Sequence, residues 1–544
     1  MVGSVGVDFG TSTTFVAMSD RRGTTRVLPL GSVARSADLF LPSAAQPVAK
    51  GFAVGEEPSN QAAGVIRSVK RCITRDRQTA TTAGADPVDC AADDVIRVIL
   101  EEAVRRARKI EPKVFQGRPV RLGCPAMWDG AQRRRLASIA AASGLDVAVQ
   151  EIVDEPIAAG VGWVTEERAL GRHVQGRVLV VDIGGGTLDV AFLDVVDDGR
   201  QPSFNVLSAD AQDQAGDDID EAIAAELADG LRTQRRDPSK SEDPAGAMAV
   251  LSQAARQLKV RLSAVSEASV GVPRLLGVDE LSYSRTALEH LLRPMLNQAE
   301  LLARSVIASG RLREQNAASV DLIRADLGNV FKDVQYVLLT GGTSQIPVVR
   351  EHFTRLLPDA KVVWSQGQGA QQAVALGLAA TDDYDRLNLH RPPFDLVAIT
   401  PDGVETVLYS AYTPLYEAWQ VQSGHNHLGH TARVPGPAGT RAITRIMCRD
   451  LAGRRIPIKT IGRGGTHTRD ALDFQPPASG EGSLKLYVDG RLLLNGAGGP
   501  AAYRMHSWPV LRSDDRGVPS PVVWEEESGH RYDAMTYRDS GEPG

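Results

Sequence analysis

The sequence of 544 residues contains only four cysteines, has no long apolar run and carries no strong excess of charge. The cysteines are scattered without a CxxC pair, which excludes a dense disulfide framework and favours reduced thiols in a cytosolic protein. Because no window of about eighteen uninterrupted apolar residues occurs, the sequence predicts no membrane span. With 61 basic and 67 acidic residues the net charge is −6, which favours neither nucleic acid nor an anionic membrane as a partner.

The composition is that of a globular protein, with 42% hydrophobic and 24% charged residues. The length suggests roughly three to four domains. The N-terminus begins MVGSVGVDFG, without the basic segment and apolar core of a secretory signal, so we expect a cytoplasmic location. The basic residues are almost all arginine, so each lysine is a rare choice.

Glycine-punctuated strands alternate with longer helical patterns over residues 1–382, which is typical of a mixed α/β domain. Residues 91–109 have apolar positions at four-residue intervals and predict an amphipathic helix. The short apolar runs 177–182 and 336–340 end in glycine-rich turns and predict buried strands that lead into loops.

The pattern lapses at residues 383–394, where two successive prolines cannot continue a helix, so we predict a linker there. Residues 395–510 contain short β-type runs between Gly, Pro and Asp turns, which predict an antiparallel β domain. The runs are 395–399, 404–412, 443–448 and 484–494. Residues 511–544 are rich in charge, Pro, Ser and Gly, and we expect them to be disordered.

Two segments share one design, in which a strand ends in Asp and a turn of small residues leads to a second strand. The first segment contains Asp8, Gly10, Thr11, Ser12 and Thr13, and the second contains Asp182, Gly184, Gly185, Gly186, Thr187 and Asp189. Such turns let backbone N–H groups close on an anion, and the first aspartate can hold a hydrated cation. Taken singly, each segment is also compatible with an ordinary hairpin or flexible turn. Two together would clamp a triphosphate from both sides.

Two further segments carry similar chemistry. Gly341, Gly342, Thr343 and Gln345 follow a strand and precede a predicted helix, whose N-terminus favours phosphate. Glu155 precedes a proline that can start a helix of small residues. Neither the P-loop pattern nor the dinucleotide GxGxxG arrangement occurs, so both of those interpretations are excluded.

The order of these segments resembles the actin-like ATPase superfamily and, within it, the seventy-kilodalton heat-shock (Hsp70) chaperones, over roughly residues 3–380. Further matches are 67–75 with Lys70, 120–145 with Pro125, the acidic turn 216–220, and 373–379. Lys70 with its neighbour Arg71, and the EP-IAA segment, favour the heat-shock branch over sugar kinases. The resemblance implies a two-lobed actin-like (ribonuclease H-like) ATPase domain followed by a small antiparallel β domain.

The resemblance also implies ATP or ADP with Mg²⁺ as cofactors. Asp8, Glu155 and Asp182 would surround the metal. Lys70 would reach the γ-phosphate and the attacking water, with Asp182 or Asp189 orienting that water; a surface cation is the alternative for Lys70. The implied catalytic set is Lys70, Glu155, Asp182, Thr187 and Asp189. The implied nucleotide contacts are Gly10, Thr11, Ser12, Thr13, Gly184, Gly185, Gly186, Thr187, Gly216, Asp217, Lys259, Gly341, Gly342, Thr343 and Gln345.

The adenosine side departs from the family pattern. Arg256 stands where the family has Glu, Lys259 is kept, and Val260 stands where the family has Arg. Gln345 replaces an adenine-stacking arginine. Losing a guanidinium stack removes about 1–2 kcal/mol of binding free energy, or tenfold or more in affinity, which leaves base specificity open.

The C-terminal region resembles the start of the family's substrate domain, although residues 391–397 replace the usual acidic-apolar linker and no lid-like helical pattern follows. We therefore predict a chaperone-like ATPase that hydrolyses ATP slowly, its nucleotide state gating a β domain for a polypeptide client or protein partner. One alternative is a nucleotide-gated binding protein with negligible hydrolysis. The other is a small-molecule kinase, for which the sequence offers neither an acceptor pocket nor a base.

Overall fold

The chain forms two α/β lobes followed by a β-rich region. The computed structural model describes residues 3–20, 23–31, 38–197, 199, 202–314, 331–364, 368–380, 391–415, 429–436, 443–462, 465–477, 481–487, 491–505, 512–513, 519–520 and 522–526. No helix in these ranges combines the length and the apolar character needed to cross a bilayer.

The first lobe is built on a sheet with the order β10-β9-β1-β2-β3, with β4 beside β2. Strands β1 and β2 form an antiparallel hairpin, whereas β1, β9 and β10 run parallel. The strands are β1 (Val5–Phe9), β2 (Thr13–Ser19), β3 (Thr25–Val27), β4 (Leu41–Pro42), β5 (Ala45–Val48), β6 (Gly51–Val54), β7 (Thr79–Thr81), β8 (Asp89–Ala91), β9 (Val120–Cys124) and β10 (Ile152–Asp154). The helices are α1 (Glu56–Ser59), α2 (Lys70–Thr74), α3 (Ala92–Ile110), α4 (Gly130–Ala142) and α5 (Glu155–Ala169).

The second lobe repeats this topology in a sheet with the order β13-β12-β11-β16-β17. A three-stranded antiparallel meander again precedes two parallel strands. The strands are β11 (Gly176–Ile183), β12 (Leu188–Val196), β13 (Ser203–Gln212), β14 (Glu267–Gly271), β15 (Glu280–Ser284), β16 (Tyr336–Thr340) and β17 (Lys361–Trp364). The helices are α6 (Gly216–Thr233), α7 (Pro244–Leu262), α8 (Arg285–Glu314), α9 (Pro347–Leu356) and α10 (Gln368–Ala380). This repeated topology confirms the predicted two-lobed actin-like fold.

Local sequence explains where the helices begin. Helix α3 buries the apolar positions that recur at four-residue spacing and covers the predicted range 91–109 to within one residue. Helix α4 begins at a capping box, in which Asp129 accepts N–H groups of the first turn and Gln132 reaches back to the backbone of Asp129. Helix α5 begins at Glu155 with Pro156 in its first turn, as predicted.

Helices α5 and α10 cross in close contact between the two sheets. A Cβ added to Gly377 would lie 1.7 Å from the carbonyl oxygen of Ala158, and one added to Gly162 would lie 2.3 Å from that of Ala373. Only glycine permits this backbone approach at the junction of the lobes. Strands β1 and β11 therefore deliver their C-terminal aspartates to the same cleft.

The β-rich region contains a sheet ordered β19-β18-β21-β22, with β25 on β21, and a seven-stranded sheet ordered β20-β26-β27-β28-β31-β23-β24. Its strands are β18 (Phe394–Ile399), β19 (Glu405–Tyr409), β20 (Gly429–Pro435), β21 (Thr444–Asp450), β22 (Arg455–Ile456), β23 (Ile458–Gly462), β24 (Gly465–Arg469), β25 (Leu472–Phe474), β26 (Glu481–Tyr487), β27 (Arg491–Gly496), β28 (Gly499–Met505), β29 (Arg512–Ser513), β30 (Pro519–Ser520) and β31 (Val522–Glu526). Inward side chains of both sheets, including Phe394, Ile446 and Leu484, share one buried core.

The run 484–494 forms two strands, β26 and β27, that pair with each other, and residues 488–490 between them lie outside the described residues. Two boundaries of this region differ from the sequence interpretation. The larger sheet continues past Val510, because β31 pairs antiparallel with β28 and parallel with β23. Strand β18 begins at Phe394, the last residue of the predicted linker, of which residues 383–390 lie outside the described residues.

Candidate nucleotide site

A cavity of about 890 Å³ opens between the two lobes, at the carboxyl ends of β1 and β11. The sequence-predicted residues that line it are Asp8, Gly10, Thr11, Ser12, Thr13, Lys70, Glu155, Asp182, Gly184, Gly185, Gly186, Thr187, Asp189, Lys259, Gly341, Gly342, Thr343 and Gln345. Gly216 and Asp217 do not line it. The fold thus brings together residues that are more than 300 positions apart in the chain.

The two hairpin turns have the same closing geometry. The N–H of Gly10 donates to the carbonyl oxygen of Thr13 at 2.9 Å, and the N–H of Gly184 donates to that of Thr187 at 3.0 Å. Each turn thus leaves its intervening residues facing the cavity. The same turn thus occurs once in each lobe, and the sequence analysis predicts that both turns bind an anion.

The turns face each other across the cleft at very short range. A Cβ added to Gly186 would lie 2.6 Å from Oγ1 of Thr11, and one added to Gly185 would lie 2.7 Å from Oγ of Ser12. Side chains at these two positions would therefore push the turns apart. This close approach explains the three successive glycines better than a flexible turn does.

Gly216 and Asp217 support the second turn from behind. The N–H of Gly216 donates to the carbonyl oxygen of Gly184 at 3.1 Å, and the N–H of Asp217 donates to that of Gly185 at 2.7 Å. The hydroxyl of Thr343 donates to the same Gly184 oxygen at 3.0 Å. These bonds satisfy the carbonyl oxygens of Gly184 and Gly185 and fix the shape of the turn.

Four carboxylates lie at the base of the cavity, and all are buried: Asp8, Glu155, Asp182 and Asp189. Burial, reinforced by the charge of Glu155, raises the pKa of Asp182 to about 7, although Lys70 partly opposes the shift. Burial and Glu155 also raise the pKa of Asp8 and of Asp189 well above the usual range. The cluster therefore favours binding a cation or a proton.

Lys70 is the cation that faces this cluster, and it is only 3% exposed, so it is not a surface residue. Its Nζ is paired with Oε1 of Glu155. Burial opposes the charge on Lys70, but Glu155 and Asp8 outweigh it and raise the pKa of the ammonium. Lys70 is therefore charged and held inside the cavity.

The carboxylates do not form a preformed metal cage. Within the described residues, no three His, Cys, Asp or Glu side chains converge closely enough to hold a metal by themselves. Mg²⁺ usually keeps several waters and is bound by one or two carboxylates together with substrate phosphates. An oxygen-only set of Asp8, Glu155 and Asp182, spaced around one cavity, fits such a hydrated ion.

The far end of the cavity is lined by Arg256, Lys259, Val260 and Gln345. Nζ of Lys259 donates to the carbonyl oxygen of Gly216 and forms an ion pair of 2.8 Å with Asp220. Lys259 thus supports the second lobe as well as the cavity wall. Gln371, from helix α10, also lines the cavity and was not predicted from the sequence.

Several contacts across the top of the cleft join the lobes. Arg71 of the first lobe pairs with Asp213 at 3.3 Å and with Asp218 at 3.0 Å, both in the second lobe. The hydroxyl of Ser68 donates to the carboxylate of Asp217. Because Ser68 and Arg71 flank Lys70, these contacts link its position to the closure of the lobes.

Two residues that the sequence analysis did not single out extend this network. Trp128, fully buried, packs its ring against Lys70. Arg391, 7% exposed, donates to the carbonyl oxygens of Ala126 in the first lobe and Ala209 in the second. The positions of both side chains depend on contacts between distant parts of the chain, and no local sequence motif indicates such contacts.

Two lobes of equal topology, each with a turn of small residues after its first strand, and an acidic cleft between them define an actin-like ATPase fold. The model of the family described as Hsp70 protein matches residues 118–407, which is more than half of the chain. The chain belongs to this Hsp70 family.

The chain is similar to proteins named Chaperone protein DnaK from several organisms. It is 26% identical over 427 residues to that of Mycoplasma mobile, covering 76% of this chain and 64% of the relative. It is 25% identical over 323 residues to that of Thermoplasma volcanium, covering 56% and 48%. It is 24% identical over 388 residues to that of Thermosipho africanus, covering 69% and 58%. Each match spans less than two thirds of the relative's length.

Proposed function

We propose that this chain binds ATP with Mg²⁺ in the interlobe cleft and hydrolyses it slowly, and that its nucleotide state gates the β-rich region. One observation carries the proposal: Lys70 is buried beside four carboxylates in a cavity that the two facing turns also line. Neither a structural core nor a simple hairpin requires this costly concentration of buried charge. A cleft that receives a phosphate chain and a cation does require it.

Residues in different parts of the cleft would have different roles in phosphoryl transfer. Thr11, Thr187 and the N–H groups of the two turns would hold the phosphates, and Lys70 would contact the γ-phosphate. Bound Mg²⁺, held through water and the carboxylates of Asp8 and Asp182, would neutralise charge on the phosphates. Positioning and charge neutralisation are the main contributions of a protein to this reaction.

Asp189 is suited to take the proton of the attacking water. Burial and the charge of Glu155 raise its pKa, which makes its carboxylate a better proton acceptor. The N–H of Ala126 donates to its Oδ1 at 2.7 Å and fixes its orientation. Water oxygen would attack the γ-phosphorus as the bond to the bridging oxygen breaks, and the water proton would pass to the carboxylate.

The β-rich region is the proposed site for a polypeptide client or protein partner. The relatives' names, Chaperone protein DnaK, support a client-binding role. The region begins in direct contact with the first lobe, because the N–H of Gly130 donates to the carbonyl oxygen of Ala411 at 2.6 Å and Arg134 pairs with Asp395 at 3.1 Å. These contacts give nucleotide state a physical route to the β-rich region.

A nucleotide-gated binding protein with negligible hydrolysis is the second candidate. It is favoured by the altered adenosine side, where Arg256, Val260 and Gln345 line the cavity. Weak or unusual base binding would place the reacting groups less accurately and slow the chemical step.

Steady-state phosphate release decides between these candidates. We expect slow turnover for the wild type and at least a tenfold loss in Lys70→Ala and Asp182→Asn, because each removes a charge that acts on the phosphates. Lys109→Ala, at an exposed position on α3, serves as the matched control and retains the wild-type rate. Equal release by all four proteins, with tight ATP binding by calorimetry, would favour the second candidate.

A further inference from the structure

The indole of Trp128 lies against the proposed catalytic lysine. The centroid of its ring is 5.8 Å from Nζ of Lys70, within the range in which a cation is attracted to an aromatic face. Tryptophan has the strongest negative face of the aromatic residues. Because both side chains are buried, water screens this attraction weakly.

The ring is oriented by the short helix that carries Lys70. The indole N–H donates to Oγ1 of Thr74 at 3.1 Å. Lys70 is the first residue of α2 and Thr74 is the last. The same helix therefore presents the ammonium and fixes the aromatic face beside it.

The backbone of Trp128 is also held on both sides. Its N–H donates to the carbonyl oxygen of Pro125 at 3.0 Å, and its own carbonyl oxygen accepts from Nε of Arg133 at 3.1 Å. The amide of Gln132 donates to the carbonyl oxygen of Thr74 at 3.0 Å, which joins the start of α4 to the end of α2. These bonds couple the position of the ring to that of the helix.

An aromatic face suits this position for an electrostatic reason. A carboxylate at the same place would form a directional, charge-assisted hydrogen bond and compete with phosphate for the ammonium. The ring stabilises the charge without occupying an N–H donor in a strong bond. The ammonium of Lys70 keeps its donors for Glu155 and for a phosphate oxygen in the cleft.

We propose that Trp128 is a positioning residue for Lys70, holding the buried ammonium by its aromatic face. The proposal rests on the proposed ATPase function for its kinetic consequence but not for the contact itself. It predicts a loss in kcat with little change in KM, because the ring acts on the charge that reaches the γ-phosphate rather than on the rest of the nucleotide.

The first test separates the effect of side-chain size at position 128 from the effect of its aromatic ring. We expect Trp128→Leu to lower kcat about tenfold, since it removes the aromatic face, and Trp128→Phe to stay within about threefold because a weaker face remains. Leu136→Ala removes packing from the same buried core without touching Lys70, and should lower the melting temperature while preserving kcat. An equal loss of kcat in the Phe and Leu variants would overturn the proposal.

The second test holds size nearly constant. Fluorinated tryptophans introduced only at position 128 weaken the negative face stepwise, and log kcat should fall in proportion. A residue that merely fills the core would show no such trend, so a flat series contradicts the electrostatic role.

A third measurement does not depend on turnover. Mass spectrometry can follow acetylation of Lys70 by an amine-reactive ester, with exposed Lys109 as the reference within the same protein. In Trp128→Leu the ammonium is held less firmly, and we expect labelling about fivefold faster than in the wild type. Unchanged labelling would refute the contact. Faster labelling in Trp128→Leu, with no phosphate release by the wild type, would refute the ATPase function and leave the contact supported.

Discussion

Oδ1 of Asp189, at the base of the cleft, accepts a hydrogen bond of 2.7 Å from the N–H of Ala126. The carbonyl oxygen of Ala126 in turn accepts from Arg391. Arg391 also donates to the carbonyl oxygen of Ala209 at 2.6 Å and to the carboxylate of Asp210 at 3.0 Å. Two hydrogen bonds, through the backbone of Ala126, thus connect the proposed proton acceptor to Arg391, three residues before β18, and Arg391 also bonds to the second lobe.

This relationship predicts that nucleotide changes how residues 383–394 are exposed. Arg391 bonds to Ala126 and Ala209 at the same time, so if ATP holds the lobes together it should favour this arrangement and slow proteolysis of that segment. Limited proteolysis with ATP, with ADP and without nucleotide measures the effect, and Asp8→Ala should abolish it. Identical cleavage in all three conditions would show that the β-rich region does not respond to nucleotide.

Substitution of Arg391 tests the coupling between the lobes and the β-rich region more directly. Arg391→Lys keeps the charge but cannot reach both lobes with a planar fork, so the ATP effect on proteolysis should largely disappear while ATPase activity persists. We expect Arg391→Ala to lose on the order of 3 kcal/mol of stability as well, because it breaks a buried ion pair. Arg433→Lys, on an exposed pair with Glu481, is the matched control and should leave the ATP effect intact.

The ion pairs that Arg71 forms across the cleft predict that this residue slows the release of nucleotide. Its guanidinium is 6% exposed and joins the lobes through Asp213 and Asp218, so Arg71→Ala should release a fluorescent ADP analogue about tenfold faster in stopped-flow experiments. Arg75 pairs with the same Asp213 but is 40% exposed, so Arg75→Ala should change the rate by less than about twofold. Equal rates for both variants would mean that these ion pairs do not limit release.

The raised pKa of Asp182 predicts an unusual pH dependence in the absence of Mg²⁺ and nucleotide. Folded Asp182 has a pKa of about 7 against an ordinary value of 3.8, so the folded state holds a proton that the unfolded state releases between these values. The free energy of unfolding should therefore fall, on the order of 2 kcal/mol, as pH rises from about 4 to about 7. Urea titrations of the wild type and Asp182→Asn measure it, and the variant should show a shallower slope.

Mg²⁺ with ATP should reverse this trend, because Mg²⁺ requires the ionised carboxylate. Nucleotide-dependent stabilisation should then grow as pH rises through about 7. Asp8 and Asp189 also have raised pKa values, so some slope remains in Asp182→Asn. A wild-type slope of the opposite sign would contradict the arrangement of buried charge.

The parts of the site that the sequence predicted are those encoded in short segments. The turns at Gly10–Thr13 and Gly184–Thr187 were recognisable because strand, aspartate, small-residue turn and strand lie within a dozen residues. Trp128 and Arg391 were not recognisable from the sequence, because the residues that each of them contacts lie in other segments of the chain. The strand Val522–Glu526 was missed for the same reason: it pairs in parallel with residues more than sixty positions away.

At the adenosine end of the cavity, one substitution should increase the affinity for ATP. Gln345 lines the cavity where the resembled family has a stacking arginine, so Gln345→Arg should tighten ATP binding about tenfold through its guanidinium plane. A second effect must be separated, because an added positive charge also attracts the phosphates. Calorimetry with tripolyphosphate, which has no base, isolates that effect, and Gln345→Lys supplies the charge without the plane. Stacking predicts a larger gain for ATP than for tripolyphosphate in the arginine variant and no such difference in the lysine variant, whereas equal gains for both ligands in the arginine variant would show that charge rather than stacking raises the affinity.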